Sequence, residues 1–543
     1  MSVRSRESTD VRRQRIFWAG ATAVTVGVGL HLPMFFAASE MHYRLDGMPI
    51  DMPMIIGMTL LVLGIAGTVY GLLPSRASGA DDTLARVSIQ PLDDAPISRA
   101  HIALLAVMSL AVTIDVMKPV TLGFVVPGMA EEYGLKSALN PDAGVPVAWF
   151  PFMAIVGTVL GSIVWGYLGE RIGRKGSIML AGILFIATAV CGSMPDFRMN
   201  IVTCFFMGAA VGGMLPIMFT LISETMPVRR RGFLMVLIGG DVAGAYLITS
   251  WLASTLTPEY GWRILWLLGM PTGVLLILLN RWIPESPRFL IVHGRDAEAR
   301  AVLARYGAKV VPEAESELEV ERGITSRWRE VLGAALRRNT LIIGLFGLGI
   351  GLVTFGFQLW LPSNLQVLGF NEARSDIILR NGALIGLPAT IIVAWMYGFW
   401  SARKTMILLA LTTAAALVTL AALGGEVANH TALLYILLAI PLTATSSMLA
   451  MLLTYSSEVY PTKLRSRGTA IAAGASKLGG VAIIGLVLLQ IAPPSIVTTA
   501  LVGAIPLALT AICVTFAGVE TRRRGLEQIT AAELVPTTAV DRP

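Results

Sequence analysis

Apolar residues in this 543-residue chain fall in long unbroken runs, not in the alternating or one-faced patterns of soluble strands and helices. Each run holds about 20 apolar residues, enough to cross a ~30 Å hydrocarbon layer as a helix. The pattern predicts fourteen spans, near 16–38, 53–74, 101–130, 145–168, 176–194, 199–223, 233–256, 263–283, 340–366, 375–398, 405–424, 431–456, 467–491 and 495–518. Two long hydrophilic stretches interrupt them, 75–100 and 284–338, and the second divides the last twelve spans into six and six. The expected organisation is an extension with two additional spans (1–100), a six-helix bundle (101–283), a linker (284–338), a second six-helix bundle (339–520) and a tail (521–543). The fold class expected is an all-α membrane protein. The linker opens Pro284-Glu285-Ser286-Pro287-Arg288 and continues rich in Ala, Glu, Arg and Leu, which favours short surface helices.

Composition sharpens this picture. Mean hydropathy is +0.70, with 55% hydrophobic and 14% charged residues, outside the range of soluble domains. The net charge of +7 does not form a nucleic-acid-binding patch, because the positive residues sit in short connections. Arg4, Arg6, Arg12, Arg13 and Arg15 precede the first span and place the N-terminus inside. The clusters Arg171/Arg174/Lys175, Arg229/Arg230/Arg231, Arg403/Lys404, Lys463/Arg465/Arg467 and Arg522/Arg523/Arg524 then fall on the same side. The expected location is a bacterial inner membrane with both termini cytoplasmic. The first span is too long for a cleavable signal, and no small-residue cleavage site follows it. Cys191, Cys204 and Cys513 show no metal-ligand spacing and are expected as small buried hydrophobes.

Between the fourth and fifth spans lies Gly166-Tyr167-Leu168-Gly169-Glu170-Arg171-Ile172-Gly173-Arg174-Lys175. Its glycines are expected to let two helices pack closely and turn at once. An internal repeat supports a duplicated half: Glu224, Pro227 and Arg231 keep the mutual spacing of Glu458, Pro461 and Arg465. The elbow resembles the signature loop of the major facilitator superfamily, G-x-L-x-[DE]-R-x-G-R-[KR], and the resemblance covers about residues 101–520. It implies two six-helix bundles that rock about a central site. It also implies that Gly166, Glu170, Arg171, Gly173, Arg174, Glu224, Arg231, Glu458 and Arg465 form gating contacts at the cytoplasmic mouth. The Pro-Glu-Ser-Pro-Arg segment looks like the branch of sugar porters and organic-ion transporters. Phe355-Gly356-Phe357-Gln358-Leu359-Trp360-Leu361-Pro362 is more similar to aromatic-acid symporters, because the paired glutamine of sugar porters is missing. Three features depart from that pattern. Asp115-Val116-Met117-Lys118 stands where aromatic-acid symporters carry D-G-[FY]-D, the second elbow around Arg403 lacks its acid, and two helices precede residue 100.

Function is expected where charge is costly. Asp115 and Lys118 lie in the third span, and each charge costs ~3 kcal/mol at a helix centre. Three residues apart, they are expected to share a face and to pair. Pro119 frees the carbonyl of residue 115, so an acid, a base and an acceptor gather at one depth. Further candidates are Lys477, Arg380 with Asn381, and Asp241, which is expected either to pair with Lys477 or to line a cytoplasmic vestibule. Gln358, Trp360, Asn364 and Tyr455 are candidate wall residues.

These residues suggest proton-coupled symport of a small organic anion: a carboxylate competes for Lys118, and Asp115 then takes a proton. The alternatives are a proton-antiport exporter and, in another class, a receptor or scaffold. No cofactor beyond a coupling proton is expected, nor any metal. No nucleophile elbow, zinc-protease motif or phosphate loop suggests an enzyme. The expected partners are the small anion and the lipid bilayer. The extra spans at 16–38 and 53–74 acquire no role from sequence, except that the loop at 43–49 could cover part of the outer face.

Overall fold

The computed structural model describes residues 3–73, 97–307, 331–333, 336–460, 462–489 and 495–521. Among the described residues, thirteen helices are long and apolar enough to cross a membrane, and Arg263–Leu279 is a shorter apolar helix at the remaining predicted position. The first pair is α1 (Val3–Gly29) and α2 (Met52–Leu72). The first half then comprises α3 (Arg99–Glu132), α4 (Trp149–Thr188), α5 (Phe197–Val211), α6 (Met214–Thr225), α7 (Val228–Gly239), α8 (Asp241–Tyr260), α9 (Arg263–Leu267) and α10 (Gly269–Leu279). Short helices α11 (Pro287–Val292) and α12 (Asp296–Arg305) follow. The second half comprises α13 (Arg337–Leu352), α14 (Leu361–Val367), α15 (Glu372–Trp395), α16 (Ala402–Leu423), α17 (Thr431–Val459), α18 (Thr462–Leu488) and α19 (Ile496–Ala517).

Glycine sets the tightest helix contacts. A Cβ on Gly157 would lie 2.0 Å from the Phe205 carbonyl oxygen, and one on Gly208 would lie 1.8 Å from that of Ala154. Helices α4 and α5 therefore touch backbone to backbone, the close approach small residues allow. The same device builds the added hairpin: a Cβ on Gly20 would meet the Gly64 carbonyl oxygen at 2.6 Å, and one on Gly27 that of Gly57 at 2.7 Å. The hairpin buries Phe17, Val24, Leu45 and Met54 against Ile183, Ile186 and Val190 of the first half.

At the elbow, Gly173 has φ +80°, a conformation that strains other residues, and breaks α4 into two spans. Glu285 accepts from the backbone N–H of Arg174 at 2.7 Å and of Lys175 at 3.2 Å, so the linker carboxylate caps the returning span. Burial pushes the Glu285 carboxyl above its ordinary range, and these N–H donors pull the other way. Gly166 corrects the packing expectation, since no atom lies within 4 Å of where its Cβ would be.

Candidate functional site

The two halves meet along α3, α4, α7 and α8 on one side and α14, α15, α17 and α18 on the other. Near the elbow end, a Cβ on Gly239 would lie 2.0 Å from the Ala450 Cβ, bringing α7 onto α17. Glu458 of α17 accepts from Tyr397 Oη at 3.0 Å and faces Arg231 of α7 electrostatically. Arg231 and Glu458 thus come together across the halves. Arg171 does not join them: it is exposed, with its guanidinium over the Tyr167 ring at 4.2 Å. The side chains of Glu170, Glu224 and Arg465 lie outside the described residues.

Deeper in, the expected Asp115–Lys118 pair is not formed. Asp115 is fully buried, and neither carboxylate oxygen has a hydrogen-bond partner. Its charged neighbour is Lys477 of α18, in the opposite half. Lys118 turns inside the first half instead. Its Nζ packs 2.1 Å from where a Gly269 Cβ would be and 5.9 Å from the Phe185 ring centre. Three residues on a helix subtend about 300°, so neighbours at that spacing can still diverge when each finds a different pocket. The Lys477 ammonium donates to Ser162 Oγ of α4 and, at 2.7 Å, to the Gly212 carbonyl oxygen. A cation rooted in one half is thereby bonded to the other. Asp241 has Ser109 of α3 as its polar neighbour rather than Lys477, and its buried Oδ2 has no hydrogen-bond partner.

The helix preceding α14 is broken. Val353–Phe357 is a π-turn and Gln358–Trp360 a 3₁₀ turn, irregularities that cluster at functional positions. Gln358 Nε2 donates to the Pro441 carbonyl oxygen at 3.0 Å. Trp360 and Asn364 are buried, and Trp360 Nε1 and Asn364 Nδ2 have no acceptor. A Gly123 Cβ would lie 3.1 Å from the Leu359 carbonyl oxygen, so α3 lies directly against the break. Arg380 Nε donates to Asn381 Oδ1 at 3.3 Å, and both are half-buried. Tyr455 is not a wall residue in this state: its hydroxyl accepts from the Val519 N–H at 2.8 Å, near the end of the described chain.

A second buried acid, not anticipated from sequence, ends α3. Glu132 Oε1 accepts from Arg263 Nη2 at 2.7 Å, the Leu45 N–H at 2.6 Å and the Asp46 N–H at 3.1 Å. Its Oε2 accepts from Trp262 Nε1 at 2.8 Å and Arg263 Nε at 3.2 Å. The loop of the added hairpin is thus fastened to the first half, at the end away from the elbow. The signals were Glu131-Glu132 closing one span and Trp262-Arg263 opening another, but charges at span ends ordinarily face water.

A buried carboxylate without partners, a cation reaching across two helical halves and an interrupted helix beside them define a membrane transporter built on pseudo-repeated bundles, not an enzyme. The chain matches the model of the family described as "Sugar (and other) transporter" over residues 121–532, and that described as "MFS/sugar transport protein" over residues 1–229. It belongs to this family of the major facilitator superfamily and is an integral membrane protein. It is 24% identical to the niacin transporter NiaP of Acinetobacter baylyi, over 73% of this chain and 88% of that one. Identity to the 4-hydroxybenzoate transporter PcaK of the same organism is 27%, over 73% and 87%. The fold is similar to that of the proton:xylose symporter XylE, with TM-score 0.64 and 17% identity, covering 80% of this chain and 98% of that one.

Proposed function

We propose that the protein is a proton-coupled symporter of a small aromatic carboxylate, working by alternating access with the elbow end cytoplasmic. One observation carries the reading: Asp115 is buried, has no hydrogen-bond partner and faces Lys477 of the opposite half. A carboxylate does not remain ionised in such a place unless a cation stays near. The substrate carboxylate competes for the Lys477 ammonium and draws it from Asp115, Ser162 and Gly212. Asp115 then takes the proton, so anion and proton bind together. The orphan donors Trp360 Nε1 and Asn364 Nδ2 are available to the anion on the broken helix. The role first assigned to Lys118 passes to Lys477. Relatives named for niacin, 4-hydroxybenzoate and benzoate support this substrate class.

The test is uptake into proteoliposomes with and without an inward proton gradient. The panel holds nicotinate, benzoates, aliphatic acids, hexoses and organic cations. Gradient-stimulated uptake of an aromatic acid is expected, with Asp115→Asn abolishing the stimulation while leaving exchange of internal for external substrate. Full proton stimulation in Asp115→Asn, or movement of cations alone under the opposite gradient, would overturn the reading.

A further inference from the structure

At the end of the molecule away from the elbow, α15 begins with two acids one turn apart, Glu372 and Asp376. Residues at this spacing share a face, and like charges there repel. Asp376 is 3% exposed, and Glu372 Oε1 is buried without a partner. Each acid feels another acid. Glu372 is the charged neighbour of Asp376, and Glu131 of the first half is that of Glu372. The natural cation for Asp376 is Arg380, one turn on, but its guanidinium turns to Asn381. Asn381 in turn donates to Tyr435 Oη of α17 at 3.5 Å. Arg374 lies over the Phe370 ring at 5.5 Å. Arg44, from the loop of the added hairpin, pairs with Glu131 and leaves the other two acids uncompensated.

Tyr246 of α8 faces Asp376 from the opposite half. It is 7% exposed, packs on Phe124 of α3 and has Asp376 as its charged neighbour. Its hydroxyl, an O–H donor, has no hydrogen-bond partner. Two acids one turn apart, with no cation among the described residues paired to either, are an arrangement a single proton relieves. Carried on one carboxyl, the proton is donated to the neighbouring carboxylate or the phenol oxygen, and the phenol O–H is free to bond the remaining carboxylate.

We propose that Glu372, Asp376 and Tyr246 form a second proton-binding site, which takes one proton from the adjoining solution as the halves close over it. In the open state, water solvates both carboxylates. Closure expels that water, and one proton leaves hydronium for a carboxylate oxygen, so the pair passes from two negative charges to one. On reopening, the same proton returns to water. Proton binding and closure favour each other, so the closed fraction rises as pH falls. The site lies away from Asp115, and its proton step requires no particular substrate.

The test uses the full-length protein in nanodiscs without substrate. Spin labels are placed at Thr255→Cys on α8 and Val367→Cys at the end of α14, both exposed, in a Cys513→Ser background. In the parent, raising the pH by two units should increase the open-to-closed ratio at least about fivefold, within the tenfold-per-unit limit of one proton. Asp376→Asn and Glu372→Gln should each hold this end closed and flatten the response. Tyr246→Phe should move the midpoint to lower pH while keeping the slope. A response unchanged in both acid variants would overturn the proposal. So would one that vanishes in Asp115→Asn alone, or one in which sodium replaces the proton. Whether Asp115 couples to an anion is read separately, from substrate uptake.

Discussion

Asp115 and Glu132 stand on the same helix, and both are buried acids, yet their surroundings are opposite. Glu132 receives five hydrogen bonds, two of them from a guanidinium, all within one half and the hairpin loop fastened to it. Asp115 receives none, and its one cation belongs to the half that must move. A satisfied acid holds a fold together; an unsatisfied one keeps its chemistry available.

The contrast breaks most visibly at Arg263. Arg263→Ala would strand Glu132 as an unpaired buried charge at a cost of ~3–5 kcal/mol, and should lower the unfolding temperature in detergent sharply. Asp115→Asn removes a buried charge that no hydrogen bond satisfies, and should leave that temperature unchanged or higher. If the two variants destabilise alike, the distinction fails.

Lys477→Met comes next. It removes two charge-assisted bonds between the halves, each contributing ~1.5–3 kcal/mol. Its expected effect is on the equilibrium between open and closed forms, read by cysteine accessibility at the elbow end, with little change in unfolding temperature.

Glu285 tests an intermediate case, a half-buried acid with backbone donors but a carboxyl raised by burial. A raised acid stabilises the fold fully below its ordinary value of 4.5 and loses that contribution as pH rises through the raised value. Glu285→Gln should remove this slope and keep the cap, whereas Glu285→Ala should also cost ~1 kcal/mol for the lost cap. The comparison is unfolding temperature against pH.

The smallest effect belongs to Arg44→Ala. Its pair with Glu131 is largely exposed, and such pairs contribute ~0–1 kcal/mol. A loss of several kcal/mol would mean that the hairpin loop depends on this pair rather than on Glu132.

Much of the architecture was legible because bilayer-spanning helices advertise their length and polarity. The break at Val353–Trp360 was not legible, because the run at 340–366 reads as one continuous span. Nor was side-chain direction. Lys118 and Lys477 are both cations within apolar runs, and only the packing of α18 against α4 and α5 shows which of them faces Asp115. Glu132 escaped notice because a charge at a span end looks solvated until the loop that buries it is in place. Tyr455 looked like a wall residue because nothing in its own helix reveals that Val519 returns to occupy its hydroxyl.

Glu132 also imposes an order of events at the ribosome. The first hairpin is synthesised before any partner for its loop, so the Leu45 and Asp46 N–H groups wait for a carboxylate that emerges almost 90 residues later. That carboxylate then waits a further 131 positions for the Arg263 guanidinium. Until then, the nascent chain carries an acid ready for burial but without its counter-charge, while the spans between are already entering the bilayer. Nascent chains stalled before residue 263 should therefore expose the hairpin loop to protease, and chains stalled once Arg263 has cleared the exit tunnel should protect it.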